Sequence, residues 1–286
     1  MAYKHELTLT NSIADVDSPT IPTLGFGTFL IAPEDAAARV GEALRAGYRH
    51  IDTAQMYKNE EGVGQAIADF LAETGMDRSE LFITSKLNNT FHAPDDARRE
   101  FEVTLEKLQL DYIDLFLIHW PMPEHDDYVE TWKTMLEFRD SGKAHAVGVS
   151  NFQIDHLERL EAETGVLPAV NQIEAHPHFG NVEVRAWCQE HGIAIENWSP
   201  LGRGAVLDNP VIAEIASETG ATPAQVVLSW HLSHDCIIIP KASSPARIVE
   251  NFASAELRLS ADQIARIDGL DQGESGRIGP NPNAVN

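Results

Sequence analysis

The 286-residue chain is short of cysteine, lysine, long apolar runs and glycine-rich phosphate loops. Its two cysteines, Cys188 and Cys236, cannot build a disulfide framework, so a reducing, cytoplasmic setting is expected. No apolar stretch approaches the roughly 20 residues of a membrane span, and residues 1–11 hold no apolar leader core. Neither a membrane anchor nor a secretory signal is therefore expected. The glycine pairs Gly25-Phe26-Gly27, Gly62-Val63-Gly64 and Gly202-Arg203-Gly204 lack a third glycine in register, and none opens a helix after the first strand. With no Walker A pattern either, the common glycine-loop nucleotide folds are excluded, and these residues read as turn and packing glycines.

Only seven of the 21 basic residues are lysine, against 44 Asp plus Glu, for a net charge of −23. Such a chain repels phosphate backbones and anionic lipid, which excludes nucleic acid and membrane surfaces as partners. Self-repulsion on this scale destabilises a compact fold in dilute buffer. Molar salt shortens the Debye length to about 3 Å and removes that cost. The composition thus reads as adaptation to a salt-rich cytoplasm. A hydrophobic fraction of 43% is ample for a large core, so the chain is not disordered.

Eight short apolar runs recur along the chain, at 24–28, 48–52, 81–85, 113–119, 144–149, 169–173, 193–198 and 237–240. Helical patterns lie between them, for example at 33–46, 95–109, 128–141 and 155–163. Strands alternating with 10–15-residue helices imply βαβ units and a parallel sheet. Eight such units in this length predict an α/β fold, a (β/α)8 barrel in one domain. Residues 1–22 form an N-terminal cap segment, and the Gly-, Pro- and Asn-rich residues 273–286 a loop-like tail.

In such a barrel the C-terminal strand ends carry the chemistry. The second run ends at Asp52 with Tyr57 close behind, the third runs into Lys86, and the fourth ends at His119. A lysine directly after a buried strand is costly unless paired, and Asp52 is the partner at hand. Together these four residue types make a proton-transfer device. An ammonium beside a tyrosine stabilises the phenolate and lowers its pKa, and a histidine can polarise or help protonate a carbonyl oxygen. Four unrelated polar residues at strand ends would look the same at this point. His50 is assigned to the opposite side of its strand from Asp52, with a structural role.

Longer motifs decide between these readings. The stretch Gly47-Tyr48-Arg49-His50-Ile51-Asp52-Thr53-Ala54, followed by Tyr57, Asn59, Glu60, Val63 and Gly64, resembles the first signature of the aldo-keto reductase family. Ala146-Val147-Gly148-Val149-Ser150-Asn151-Phe152 resembles the second, and Ile239-Pro240-Lys241 with Arg247, Glu250 and Asn251 the third. Leu110-Asp111-Tyr112-Ile113-Asp114-Leu115, His119-Trp120-Pro121 and Asn171-Gln172-Ile173-Glu174 with His176-Pro177 resemble further family segments. The resemblance runs through roughly residues 20–275. The short tail around Ser275-Gly276-Arg277 is similar to the bacterial-type branch that includes 2,5-diketo-gluconate reductases.

The resemblance implies a TIM barrel that binds NADPH without a Rossmann domain and reduces aldehydes or small ketones. It makes Tyr57 the general acid, partnered by Asp52, Lys86 and His119. Ser150, Asn151 and Gln172 would hold the nicotinamide carboxamide, and Trp198 would stack on the ring. Without the resemblance, helix capping by Ser150 or Asn151 and a core tryptophan are the favoured readings. Lys241 and Arg247 would bind the 2′-phosphate, and Glu250 and Asn251 the adenine. Ser199, Leu201 and the Gly202-Arg203-Gly204 turn lie where the family covers the pyrophosphate.

Ala242 stands where the family usually has Ser or Thr, so Ser243 or Ser244 would have to supply that hydroxyl, and NADH use alongside NADPH is possible. Phe29, Trp120 and Met56 are expected as apolar walls of the substrate pocket. Asn88, where many relatives have tryptophan, gives either a more polar mouth or a surface change without a role.

His176 with His178 and His231 with His234 lack a third convergent ligand, so no metal is expected. The family is often monomeric, and a monomer is expected. Two other functions are weighed against a reductase. One is a cofactor-binding regulatory subunit with negligible turnover. The other is a Schiff-base lyase or isomerase on Lys86, which Asp52 disfavours by keeping that amine protonated.

Overall fold

All eight apolar runs form parallel strands of one sheet in the computed structural model, which describes residues 4–12 and 19–286. A short antiparallel hairpin, β1 (Glu6–Thr8) with β2 (Thr20–Pro22), precedes them. The barrel strands are β3 (Gly25–Gly27), β4 (His50–Asp52), β5 (Phe82–Leu87), β6 (Ile113–Ile118), β7 (Ala144–Ser150), β8 (Val170–Glu174), β9 (Ala194–Trp198) and β10 (Ile237–Ile238). Each pairs with its sequence neighbour. The sheet closes where Leu24 bridges Ile238 in parallel, the Ile238 N–H donates to Thr23 O, and the Gly27 N–H donates to Pro240 O. A Cβ on Gly27 would stand 2.6 Å from Ile239 O, so this seam requires glycine there.

Around the barrel run α1 (Pro33–Ala46), α2 (Glu60–Thr74), α3 (Pro94–Leu108), α4 (Tyr128–Asp140), α5 (Ile154–Thr164), α6 (Val182–Glu190), α7 (Pro210–Thr219), α8 (Pro223–Ser233), α9 (Pro245–Phe252) and α10 (Ala261–Asp268). The α1 sequence shows why they form. Pro33 presets the first turn, Glu34 and Asp35 meet the positive end of the helix dipole, and Gly47 ends the helix at φ 114°. Ala36, Val40, Ala43 and Leu44, spaced three or four apart, face inward. Among the described residues no helix is long and apolar enough to cross a membrane.

Side chains alternate across each strand with a period of two. On β6, Phe116 and Ile118 join the layer beneath the helices, while Leu115 and Leu117 enter the barrel. Leu9 and Ile21 from the N-terminal segment pack there with Leu115, Leu117, Phe82, Ala146, Val170 and Ile237. The cap segment therefore plugs the barrel from the end opposite the strand C-termini.

The same period corrects the placement of His50. Residues two apart share a strand face, so His50 and Asp52 both point into the barrel. His50 is fully buried there, with Nε2 3.2 Å from Thr84 Oγ1 and Nδ1 3.3 Å from Pro22 O. The tail is also more ordered than a loop-like segment. It forms short 3-10 turns at Gly273–Gly276 and Pro282–Ala284, and Ile278 and Gly279 donate their N–H groups to the Glu174 carboxylate at 2.6 and 2.9 Å.

Candidate active site

The C-terminal strand ends bring Asp52, Lys86 and His119 together with Tyr57. Lys86 lies inside β5 rather than beyond it, because its ammonium is fully paired. It donates to Asp52 Oδ1 at 2.7 Å and Oδ2 at 2.8 Å, and to Thr53 O at 2.9 Å. Tyr57 ends a 3-10 turn, Gln55–Tyr57, just past β4. Two hydrogen-bond networks hold that stretch. The Thr53 hydroxyl donates to Asn59, which donates to the Thr28 and Ile31 carbonyls, while Gln55 bonds to Thr104, Glu100 O and the Asn88 N–H. The turn sets the Tyr57 hydroxyl 3.4 Å from Lys86 Nζ, with the ring edge-on to His119 at 5.8 Å between centroids.

Burial dominates the titration of this cluster. It pulls Lys86 down, but the charges of Asp52 and Tyr57 more than reverse this, so the ammonium is kept. It lifts the Asp52 carboxyl against the pull of Lys86 and Gln172. The two short bonds from one ammonium nevertheless hold this carboxyl as the anion of an ion pair. The expectation that Lys86 would lower the Tyr57 pKa is only half met. Lys86 does pull it down, but burial is the larger effect, and the phenol lies above its ordinary value. Burial, with Lys86 nearby, holds His119 well below its ordinary value. It is a neutral imidazole, able to give a hydrogen bond rather than act as an acid.

Ser150, Asn151 and Gln172 meet beside this cluster on β7 and β8. The Ser150 hydroxyl and the Asn151 N–H both donate to Gln172 O, at 2.9 and 2.8 Å. Asn151 sits at φ 67° and is engaged on both ends of its amide. Nδ2 donates to His119 O and Ser150 Oγ, and Oδ1 accepts from Trp198 Nε1 at 2.8 Å. The Trp198 ring is thus anchored at its nitrogen, and the tail backbone at Gly279 lies against its far edge. Gln172 commits both N–H bonds inward, to Asp52 Oδ2 at 2.9 Å and to Glu196 Oε2 at 2.6 Å. This leaves its amide oxygen as the outward acceptor.

Glu196 was missed in the sequence. It is a charged residue in the middle of the run at 193–198, at even spacing from Trp198, and that signal was available.

The remaining expected residues lie along the rim. Lys241, Ser243 and Arg247 are exposed, and neither cation has a carboxylate within 4.0 Å among the described residues, unlike most of the chain's basic side chains. Glu250 is half-buried and Asn251 buried on α9. Ser199 sits at φ 49° and Leu201 leads into the 3-10 turn Gly202–Gly204, whose Arg203 is exposed. Ala242 is buried in the core, so its side chain does not face the rim.

Phe29 is 45% exposed with its ring 5.2 Å from that of Tyr57, Met56 is exposed, and Trp120 is half-buried. Asn88 caps the 3-10 turn Asn89–Phe91 with its amide oxygen. Among the described residues no group of three His, Cys, Asp or Glu is arranged to hold a metal ion.

Known proteins share this sequence pattern and fold. The chain is 47% identical over 271 residues to methylglyoxal reductase DkgA of Escherichia coli (strain K12), covering 93% of this chain and 94% of that one. It is 44% identical over 270 residues to an aldo-keto reductase of Mycolicibacterium smegmatis, covering 94% and 96%. The crystal structure of Gox0644 matches with a TM-score of 0.91 at 40% identity over the whole of both chains, and so does a Gox0644 mutant in complex with NADPH. Residues 23–272 match the aldo/keto reductase family. With its eight-stranded barrel, this chain belongs to the aldo/keto reductase family of NAD(P)H-dependent oxidoreductases.

Proposed function

We propose that the protein reduces small aldehydes and ketones to alcohols, with NADPH as hydride donor and Tyr57 as proton donor. The observation that carries this reading is the buried Lys86–Asp52 pair set against the Tyr57 hydroxyl. Bound NADPH supplies a hydride to the carbonyl carbon. Tyr57, protonated at neutral pH, gives its proton to the carbonyl oxygen and is reprotonated from solvent. Lys86 stabilises the phenolate left behind, and Asp52 keeps Lys86 charged. Neutral His119 donates a hydrogen bond that polarises the carbonyl.

Trp198, held at both ends, offers a stacking face, and the Gln172 oxygen accepts from the carboxamide. Ser150 and Asn151 serve that contact by positioning Gln172, His119 and Trp198. Lys241 and Arg247, with Ser243, bind the 2′-phosphate, for which unpaired exposed cations in a chain of charge −23 are well suited. Glu250 and Asn251 flank the adenine, and Ser199, Leu201 and the following turn cover the pyrophosphate. Phe29, Met56 and Trp120 wall the substrate, with Asn88 at the mouth. The relatives called methylglyoxal reductase favour small 2-oxo aldehydes as the substrate class.

The test is loss of reduced-nicotinamide absorbance with methylglyoxal and a panel of aldehydes. Tyr57→Phe should lower kcat about 10²–10⁴-fold with NADPH affinity unchanged. NADPH binding by the native protein without turnover on any carbonyl would point instead to a regulatory role.

A further inference from the structure

Beside Asp52 lies a second buried carboxyl, Glu196 on β9, outside the proton-transfer set. Glu196 is fully buried, and its Oε2 accepts from Gln172 Nε2 at 2.6 Å. The same nitrogen donates to Asp52 at 2.9 Å, so two carboxyls share one amide. Glu196 Oε1 has no hydrogen-bond partner and lies 3.5 Å from His50 Nε2. With His50 Nδ1 facing Pro22 O, that Nε2 is an acceptor, shared between the Thr84 hydroxyl at 3.2 Å and Glu196. An ionised Glu196 would therefore aim an unsatisfied anionic oxygen at an imidazole lone pair, next to the charge of Asp52. A carboxylic acid with its proton on Oε1, pointing at His50, removes both conflicts.

We propose that Glu196 is a positioning residue that works as a neutral acid, locking the Gln172 amide so that its oxygen meets the nicotinamide carboxamide. Its neutrality also leaves the Lys86 charge balanced by Asp52 alone, so that phenolate formation on Tyr57 is not opposed. This rests on the carbonyl-reductase reading above. The groups facing Glu196 are His50 and Asp52 from β4, Lys86 from β5 and Tyr57 from the turn after β4. β8 contributes neutral Gln172, and β10 only isoleucines. Burial first, and then Asp52, push the Glu196 carboxyl up to about 8, whereas burial keeps His50 neutral down to about 3. Lys86 keeps its proton, its two short bonds hold Asp52 as the anion, and Tyr57 lies above its ordinary value, which leaves Glu196 to change charge just above neutrality.

The experiment compares the wild type with Glu196→Gln and Glu196→Leu. In the wild type, kcat/KM for carbonyl reduction should fall on an alkaline limb near pH 8 as Glu196 ionises. Glu196→Gln keeps an uncharged acceptor, so it should retain turnover at neutral pH and lose that limb. Glu196→Leu removes the acceptor and should weaken NADPH binding about tenfold, read by fluorescence without turnover. An unchanged pH profile in Glu196→Gln would overturn the proposal, as would wild-type NADPH affinity in a folded Glu196→Leu. If Glu196→Leu does not fold, the Glu196→Gln profile decides. Full activity of Tyr57→Phe would instead sink the underlying reading, while the NADPH affinity of Glu196→Leu still judges the Gln172 lock.

Discussion

Replacing Lys86 by methionine keeps most of the length of the side chain and removes the only cation bonded to Asp52 among the described residues. The pair is closed at 2.7 Å with 0% and 2% of the two side chains exposed, so solvent cannot substitute for the ammonium. A buried carboxylate without its partner costs about 3–5 kcal/mol. Protonation sets a ceiling on that cost. Holding a carboxyl of reference pKa about 3.9 in its neutral form at pH 7 costs about 4 kcal/mol, and at pH 5 about 1.5. The lost bond to Thr53 O adds about 1 kcal/mol at either pH.

The sign follows from proton binding. In Lys86→Met the folded Asp52 pKa is raised above its unfolded value, so the fold holds a proton that the unfolded chain has shed. Stability of the variant is therefore greatest below the unfolded pKa and falls as pH rises toward the folded one. Urea unfolding should show Lys86→Met about 5 kcal/mol less stable than the wild type at pH 7 and about 2.5 at pH 5. The Asp52→Asn/Lys86→Met double variant should recover most of the loss at pH 7 and show little pH dependence. A loss equal at both pH values, or a double variant no more stable than the single one, would refute the reasoning that the pair stands or falls on charge balance.

Two further outcomes are expected. Lys241→Ala and Arg247→Ala should each raise the KM for NADPH about tenfold or more while leaving any NADH activity nearly unchanged; steady-state kinetics with both cofactors checks this, and equal effects would remove the 2′-phosphate assignment. Gly279→Ala places a Cβ 2.4 Å from Trp198 Cη2 and 2.7 Å from Glu174 Oε2, so the tail must shift. Limited proteolysis should then clip the C-terminus faster and the tryptophan fluorescence should change, whereas wild-type protection would show that the tail tolerates the methyl group.

The barrel and most of its site were legible because they rest on local rules. Apolar runs of strand length alternate with helical periods, and each of Asp52, Lys86 and His119 ends or follows such a run. Family motifs then tied Tyr57, Gln172 and Trp198 to them. His50 shares the inward face of Asp52 because strand side chains repeat every two residues, a local rule that the sequence itself carries. Glu196 was obscured because a lone carboxylate inside an apolar strand looks like an exception until its partners are known. Those partners, Gln172, Asp52 and His50, lie on two other strands.

Long-range closure made the rest invisible. The Glu174 anchor for the tail joins residues 104 and 105 positions apart. The occupied amide of Asn151 depends on Trp198, 47 residues away. The acidic composition announced that cations would be scarce, but only the structure distinguishes those tied to carboxylates from Lys241 and Arg247, which, among the described residues, are not so tied. The titration of the site belongs wholly to tertiary structure. The residue types alone predicted a tyrosine lowered by lysine, whereas enclosure by the barrel raises Tyr57, neutralises His119 and lifts Glu196. By itself, the sequence determined the order of strands and helices and the residues at the strand ends, because backbone period and turn chemistry are local. Which of those residues carry charge, and which are already bonded, was decided by burial and by contacts between distant strands.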